Sequence, residues 1–281
     1  MLSILFYEHE AEQPTSLTAL EDALARIPGL SWSAPAGSAY RPGQWRDPAT
    51  GARAAWDLGI PPLLQEDAGA DDPPRSYSGW RAVPLALSVP LAGPHWQAVT
   101  ALAQVDRLLQ AAPHLVPLDS EDTVEGENAE PGPFPWDRPR AIASWEKQRA
   151  DRSVGLALPR LGRAASVALW RYRVERATGR AAFPEHHWPE GLALHDLATG
   201  EVRTACLWGD PGEPLALPPV DVVVVRGGAV PADELRLLAG DAAPGGTRLI
   251  TPSAAVAAFH AGAKPLPASR FRGLGDEDWV D

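Results

Sequence analysis

Residues 84–118 of this chain read PLALSVPLAGPHWQAVTALAQVDRLLQAAPHLVPL. The stretch begins with an apolar run from Pro84 to Val89 that is typical of a buried β-strand. From Pro94 to Leu109 the apolar side chains recur on one face of a predicted helix. Pro113 ends that helix, and residues 115–118 resume as a strand. The stretch therefore predicts a strand, a helix and a second strand in succession.

The first 32 residues show the same order of elements. Leu2 to Tyr7 reads as a buried strand, and Thr18 with Glu21 has the form of a capping box at the start of a helix. Pro28-Gly29 ends that helix before a second short strand. Two β-α-β units in tandem are typical of a ferredoxin-like split β-α-β sandwich. We therefore predict an α+β chain, with an N-terminal ferredoxin-like tandem βαβ lobe followed by a second lobe of mixed α/β type.

The division into domains follows from composition. A hairpin is predicted from Gln44 to Trp56, inside the first lobe. Residues 119–135 are acidic and rich in glycine and proline, as linkers and loops are. We expect a ferredoxin-like domain over residues 1–122, an acidic linker over 123–136 and a mixed α/β domain over 137–281.

The second half predicts alternating helices and strands. These are a helix at 137–150, a strand at 167–175, a hairpin at 191–208, a central strand at 220–225, a short helix at 231–238, a strand at 249–250, a helix at 253–261 and an acidic tail at 276–281.

Charge and cysteine content limit the function classes. The formal net charge is −11, with −12 in residues 1–137, +8 in residues 138–180 and −7 in residues 181–281. An acidic surface repels nucleic acid and anionic membranes. The single cysteine, Cys206, excludes a disulfide within the chain and a cysteine-built zinc cluster. With no secretory signal and no membrane-spanning run in the sequence, we expect a cytoplasmic protein of bacterial type.

The candidate metal ligands are Glu185, His186 and His187, which lie in a loop bounded by prolines. Imidazole nitrogen and carboxylate oxygen suit zinc, manganese or iron. Adjacent residues of an extended segment point to opposite sides, so a metal ion would need further ligands from elsewhere. The alternative is a surface loop whose histidines are partly packed.

Two other groups of charged residues are candidate binding sites. Asp119, Glu121 and Asp122 follow a predicted strand and begin the acidic run, where they suit contact with a basic partner. Trp279 is added as an aromatic anchor, because 11 tryptophans exceed what a core of this size needs. Along 169–174, Arg171 and Arg173 fall on one face of the predicted strand and suit an anion. The alternative for these arginines is pairing with acids of the same chain.

His9 and Cys206 are weaker candidates for a catalytic role. His9, in Glu8-His9-Glu10, has the pKa range of a general base, but this segment also fits a solvated strand end. Cys206 has apolar neighbours and reads as a buried, inert thiol. The sequence holds no nucleophile elbow, P-loop, dinucleotide-binding glycine motif or His-Glu-x-x-His motif.

We therefore interpret the chain as a non-catalytic bacterial protein-interaction module without a cofactor. Its expected partner is a basic protein, as for an immunity-like protein or an accessory subunit of a multi-protein conflict or defence system. One alternative is a metal-dependent enzyme centred on His186 and His187. A second alternative is a sensor of a small ligand or an anion.

Overall fold

A computed structural model describes the chain in two compact units. The described residues are 1–59, 77–119, 133, 135–153, 158–208, 215–217, 220–225, 237–239, 248–250, 271–274 and 276–281. The first unit comprises Met1–Leu91 and Gln97–Leu156, and the second comprises Ala92–Trp96 and Ala157–Asp281. No helix among the described residues is both long and apolar enough to span a bilayer.

Residues 1–153 form both helices and strands, so the predicted mixed α+β class is confirmed. In chain order, the elements are β1 (Leu2–His9), α1 (Leu17–Leu24), β2 (Leu30–Trp32), β3 (Tyr40–Arg46), β4 (Arg53–Gly59), β5 (Trp80–Val89), α2 (His95–Ala111), β6 (Val116–Asp119) and α3 (Arg138–Ser153).

The strands of the first unit form one antiparallel sheet in the order β2-β3-β4-β5-β1-β6. Strand β1 lies between β5 and β6, so Ile4 is opposite both Leu87 and Asp119. The predicted hairpin is confirmed as β3 and β4, with Gln44 opposite Ala55. Residues 4–7 of β1 therefore have a paired strand on each side, while Glu8 and His9 at its end pair only with β5.

The core of the first unit follows the alternation of its strands. Along β1, Leu2, Ile4 and Phe6 are fully buried, while Ser3 and Leu5 are half-buried on the other face. The Trp56 ring stacks on the Phe6 ring at a centroid distance of 5.9 Å. Burial of these large side chains is the main favourable term for the unit.

Helix α1 begins at a different cap from the one predicted. The Ser16 hydroxyl accepts a hydrogen bond from the Ala19 backbone N–H at 3.2 Å, so Ser16 is the N-cap and not Thr18. Glu21 instead accepts a hydrogen bond from the Arg41 guanidinium at 2.8 Å. The helix buries Leu20 and Leu24 against the sheet side of the unit.

Helix α3 belongs to the first unit. Trp145 is fully buried, and its indole N–H donates to the Pro90 carbonyl at 2.8 Å. The sequence places the domain boundary at the linker 123–136, and so assigns α3 to the second domain. In the structure the boundary after α3 falls between residues 156 and 157, and α3 is part of the first unit.

The second unit begins with a long helix and continues with short strands. Its described elements are α4 (Arg163–Ala182), β7 (Gly191–Asp196), β8 (Val202–Trp208), β9 (Leu215–Leu217), β10 (Val222–Val225), β11 (Leu237–Ala239), β12 (Arg248–Ile250) and β13 (Phe271–Leu274). They form a sheet in the order β10-β8-β7-β13 and a second one in the order β12-β11-β9. The predicted hairpin at 191–208 is confirmed as antiparallel β7 and β8.

The predicted strand at 167–175 is wrong, because this segment lies within α4. The buried residues Ser166, Leu169 and Tyr172 follow one another at intervals of three, which places them on one face of a helix. The apolar and charged residues between 169 and 174 alternate over too short a run to distinguish the two structures. Alanine and arginine, both strong helix formers, then favour the helix over its full length.

Three further predictions in the second half have different outcomes. Strand β10 forms one end of its sheet among the described strands, so the predicted central position is wrong. Leu237 and Leu238, predicted as the end of a helix, lie in β11, and residues 231–236 lie outside the described part. The strand at 249–250 is confirmed by β12, while the helix predicted at 253–261 falls outside the described residues.

Candidate functional site

A buried carboxylate lies at the end of β1. Glu8 is only 2% exposed, and its carboxylate accepts hydrogen bonds from the Thr15 backbone N–H at 3.0 Å and the Thr15 hydroxyl at 2.5 Å. Arg81, opposite Glu8 on β5, donates from Nε at 2.7 Å. The pair of strands therefore brings the guanidinium to the carboxylate, and the loop after β1 returns to close over it.

A histidine extends this network. Nε2 of His114 lies 2.8 Å from the Thr15 hydroxyl oxygen. The hydroxyl has one proton, and an ionised carboxylate can only accept, so Thr15 donates to Glu8. His114 must then donate to Thr15, which assigns the Nε2–H form to its imidazole. Proton donors thus run in one direction, from His114 through Thr15 to Glu8.

The electrostatics of this network keep Glu8 ionised. Burial alone raises the pKa of Glu8, but the hydrogen bonds from Thr15 and Arg81 outweigh it and the pKa falls below its ordinary value. An ionised carboxylate paired with a guanidinium is a weak proton acceptor. The hydroxyl of Thr15 therefore remains a donor in this arrangement and is not activated as a nucleophile.

The sequence did not single out this network. His9 and Glu10 are exposed, as the interpretation of a solvated strand end requires, but Glu8 is buried. Its partners Thr15, Arg81 and His114 lie far apart in the chain, and no local motif links them. The pairing of Glu8 with Arg81 could be predicted only from the register of β1 against β5, which places the two residues opposite each other.

A small cleft surrounds Asp119, the first of the residues predicted to contact a partner. Asp119 is 7% exposed and accepts a short hydrogen bond from the Ser144 hydroxyl on α3. Glu121 and Asp122 lie outside the described residues. The cleft has a cavity volume of about 40 Å³, and its lining consists of Pro117, Leu118, Asp119, Pro135, Trp136, Asp137, Arg140, Ala141 and Ser144.

The aromatic wall of this cleft is fixed in place. The Trp136 indole N–H donates to the Asp106 carboxylate at 2.6 Å, and Arg138 donates to the same carboxylate at 2.7 Å. Asp106 lies on α2, so both contacts hold the start of α3 against that helix. The indole ring is therefore oriented before any ligand arrives.

The predicted metal ligands do not converge in the described structure. Nδ1 of His186 lies 3.0 Å from a carboxylate oxygen of Glu185, and the His186 ring contacts Phe183 edge to face. His187 is half-buried. Among the described residues, no three His, Cys, Asp or Glu side chains are grouped so that they could hold a metal ion.

The two candidate anion ligands are not brought together. Arg171 is exposed, whereas Arg173 is engaged within its own unit. The Arg173 guanidinium donates to the Gly191 carbonyl at 3.0 Å and pairs with the Asp276 carboxylate at 3.0 Å. It also lies over the Trp96 ring, 5.1 Å from the centroid. Of the two alternatives given by the sequence, Arg173 therefore follows the second, which is pairing with an acid of the same chain.

Further arginines of α4 support the loop that follows it. Arg176 and Arg180 both donate to the Trp188 carbonyl, at 3.1 Å and 3.2 Å. The Tyr172 hydroxyl donates to the next carbonyl, that of Pro189, at 2.6 Å. Desolvation lowers the pKa of Arg176, as expected for a guanidinium that is partly buried. These contacts attach the 188–191 segment to the helix.

Trp279 lies in the interior of the second unit. Its side chain is fully buried, so the ring is not on the surface where a partner would meet it. The adjacent Val280 exchanges backbone hydrogen bonds with Pro159 and Leu161, at 3.0 Å and 2.9 Å. Asp281 accepts from the Ser166 hydroxyl at 2.9 Å. The acidic tail thus packs along the start of α4.

Cys206 is buried in β8, in agreement with the sequence interpretation of an inert thiol. Burial raises the pKa of the thiol to about 12.

Comparison of the chain with protein-family models, with curated proteins and with solved structures found no match.

Proposed function

We propose that this chain is a non-catalytic protein-interaction module that binds a basic protein partner in the bacterial cytoplasm. The observation that carries the proposal is where the negative charge lies. Residues 120–134 hold five acidic residues and no basic one, and they follow directly on Asp119 at the cleft. A concentrated charge of one sign speeds association with a partner of the opposite sign.

The charged and nucleophilic groups that could be reactive are instead placed where they stabilise the fold, which supports a non-catalytic protein. Glu8 is paired with Arg81, Arg173 is paired with Asp276, and the thiol of Cys206 is buried with a raised pKa. The two ion pairs are formed within one unit each, and the thiol is packed in the interior of its unit. A reactive group, in contrast, needs a pKa and an exposure matched to its task.

The arrangement of the first unit also bears on the proposal. We regard it as a ferredoxin-like lobe in which β5, α2 and β6 form a split β-α-β unit with β1 between the strands. The β3–β4 hairpin then extends the sheet between β5 and β2. The sheet positions Asp119, the last residue of β6, at the cleft where a partner would dock. The role as an immunity-like protein or an accessory subunit belongs to the same proposal.

The experiment is a comparison of two variants with equal charge change. The partner is captured from the native source, identified by mass spectrometry and purified by itself. Its association rate is then measured with the wild type, with E121Q/D122N/E125Q and with E10Q/E12Q/D22N, whose three acids are exposed elsewhere on the first unit. Salt is varied from low to physiological concentration for each pair.

The proposal expects a basic partner whose association slows about tenfold or more over this range of salt. The variant in the acidic run is expected to associate several-fold more slowly, and the matched variant close to the wild-type rate. Equal rates for all three proteins contradict the proposal. Stoichiometric metal in the purified wild type that is lost in His187→Ala would also contradict it and would favour the metal-dependent alternative.

A further inference from the structure

We propose that the Asp119 cleft receives an arginine side chain of the partner. The inference rests on the proposed function and adds to it the chemistry of one contact. The cleft joins a carboxylate that is nine-tenths buried, a fixed indole ring and a hydroxyl within one small cavity. This combination has the features that recognise a guanidinium.

The lining offers a group for the edge of a guanidinium and another for its face. A guanidinium is a planar cation that bonds carboxylates through its edge and stacks on aromatic rings through its face. Asp119 and Asp137 supply carboxylates, and Trp136 supplies the ring. Because the indole N–H of Trp136 is already bonded to Asp106, the ring keeps its orientation when a cation stacks on it.

The size of the cleft suits a small group. A cavity of about 40 Å³ is far below the roughly 300 Å³ or more of a site for a drug-sized ligand. It accommodates the end of one side chain. Pro117 and Pro135 on the lining suit the methylene groups of such a side chain, which prefer apolar surroundings.

The charge of the lining also favours a cation. The lining contains two acidic residues, Asp119 and Asp137, and one basic residue, Arg140. Arg140 is exposed and opposes the entry of a second guanidinium. Removing its charge should therefore strengthen the binding of a cation, whereas removing that of Asp119 should weaken it.

The test titrates the ¹⁵N-labelled full chain with N-acetyl-arginine-N-methylamide and follows the indole N–H signal of Trp136 by NMR. The norleucine and glutamate analogues are the matched control probes. We expect a saturable shift with the arginine probe in the millimolar range and none with the controls. Asp119→Asn and Asp137→Asn should each weaken binding at least threefold, and Arg140→Gln should strengthen it at least twofold.

Several results would overturn the inference. These are a shift that does not saturate, an equal response to the norleucine probe, or unchanged affinity in both aspartate variants. Asp137 is exposed, so Asp137→Asn is a valid test even if Asp119→Asn does not fold. If the purified partner binds through the acidic run while the arginine probe does not bind, this inference fails and the proposed function stands. If the probe binds the cleft but no basic partner associates, the proposed function fails and the site stands.

Discussion

Glu8 and Thr15, which have six residues between them in the chain, share a hydrogen bond of 2.5 Å between the carboxylate and the hydroxyl. Thr15 immediately precedes Ser16, the N-cap of α1, so the bond joins the end of β1 to the start of the first helix. The backbone N–H of Thr15 bonds the same carboxylate at 3.0 Å. A single buried side chain thus sets the path of the connection between the first two elements.

Replacing Glu8 with Gln should lower the free energy of unfolding by about 2 kcal/mol at neutral pH. The change removes the charged acceptor of Thr15 and leaves the Arg81 guanidinium without its counterion. Urea unfolding followed by tryptophan fluorescence measures the loss. Glu10→Gln is the matched control, because Glu10 is exposed and its change should stay within about 0.5 kcal/mol.

The contribution of Glu8 to the free energy of unfolding should depend on pH. The pKa of Glu8 lies below its ordinary value of 4.5 in the folded protein, so its contribution is fully present above about pH 4.5. As the pH falls through the folded pKa, the carboxylate is protonated in both states and the contribution disappears. The difference between wild type and Glu8→Gln should therefore be constant from pH 7 to 5 and shrink below 4.5. A difference that grows on acidification contradicts this assignment.

His114 should carry its proton on Nε2 when the imidazole is neutral. The direction of donation requires it, because Thr15 gives its only proton to Glu8 and can only accept from His114. Long-range ¹H–¹⁵N NMR spectra at pH 8 report the tautomer directly. Thr15→Ser keeps the hydroxyl and should keep the Nε2–H form, whereas Thr15→Val removes the acceptor and should reduce it. A predominant Nδ1–H form in the wild type refutes the donor order.

The elements of the first unit could be predicted from sequence because their signals are local. The apolar runs at β1 and β5 and the helical spacing of α2 each lie within one short stretch. The network at Glu8 could not be predicted, because Arg81 is 73 residues from Glu8 and His114 is 99 residues from Thr15. Such contacts depend on strand order, which no local pattern encodes.

Two other regions show where a local pattern is ambiguous. Trp170 to Val174 alternates as a strand does, yet it lies in α4, because the neighbouring residues favour a helix and bury one face of it. Asp119 stood out by its place after a strand, but Ser144 and Trp136 reach the same cleft only through the packing of α3. The composition of a site is thus set by elements that are distant in sequence.

Cys206 should be unreactive in the folded protein. With the pKa raised to about 12 from an ordinary 9.0, the thiolate fraction at pH 8 is about a thousandfold lower than that of an exposed thiol. Since it is the only cysteine, reaction with Ellman's reagent reports it alone. We expect negligible reaction over an hour in buffer and one equivalent in 6 M guanidinium chloride. Rapid native reaction would show that the thiol is accessible and would contradict its burial.

Replacing Gly179 with Ala should destabilise the second unit by about 2 kcal/mol. An added Cβ would lie 2.2 Å from the Trp188 ring, which itself is buried and donates to the Phe183 carbonyl at 3.3 Å. The gain in helix propensity from glycine to alanine is about 1 kcal/mol and offsets only part of this clash.

The matched control for Gly179→Ala is Gly162→Ala, at the start of the same helix. Its added Cβ meets nothing within 4 Å, and its φ of −56° suits any residue, so the change should stay below about 1 kcal/mol. Thermal unfolding of both variants, followed by circular dichroism, measures the contrast. If Gly179→Ala is as stable as the wild type, or more stable, then Trp188 does not pack on α4 as described. The attachment of the 188–191 segment must then rest on the hydrogen bonds from the α4 side chains, those of Tyr172, Arg173, Arg176 and Arg180.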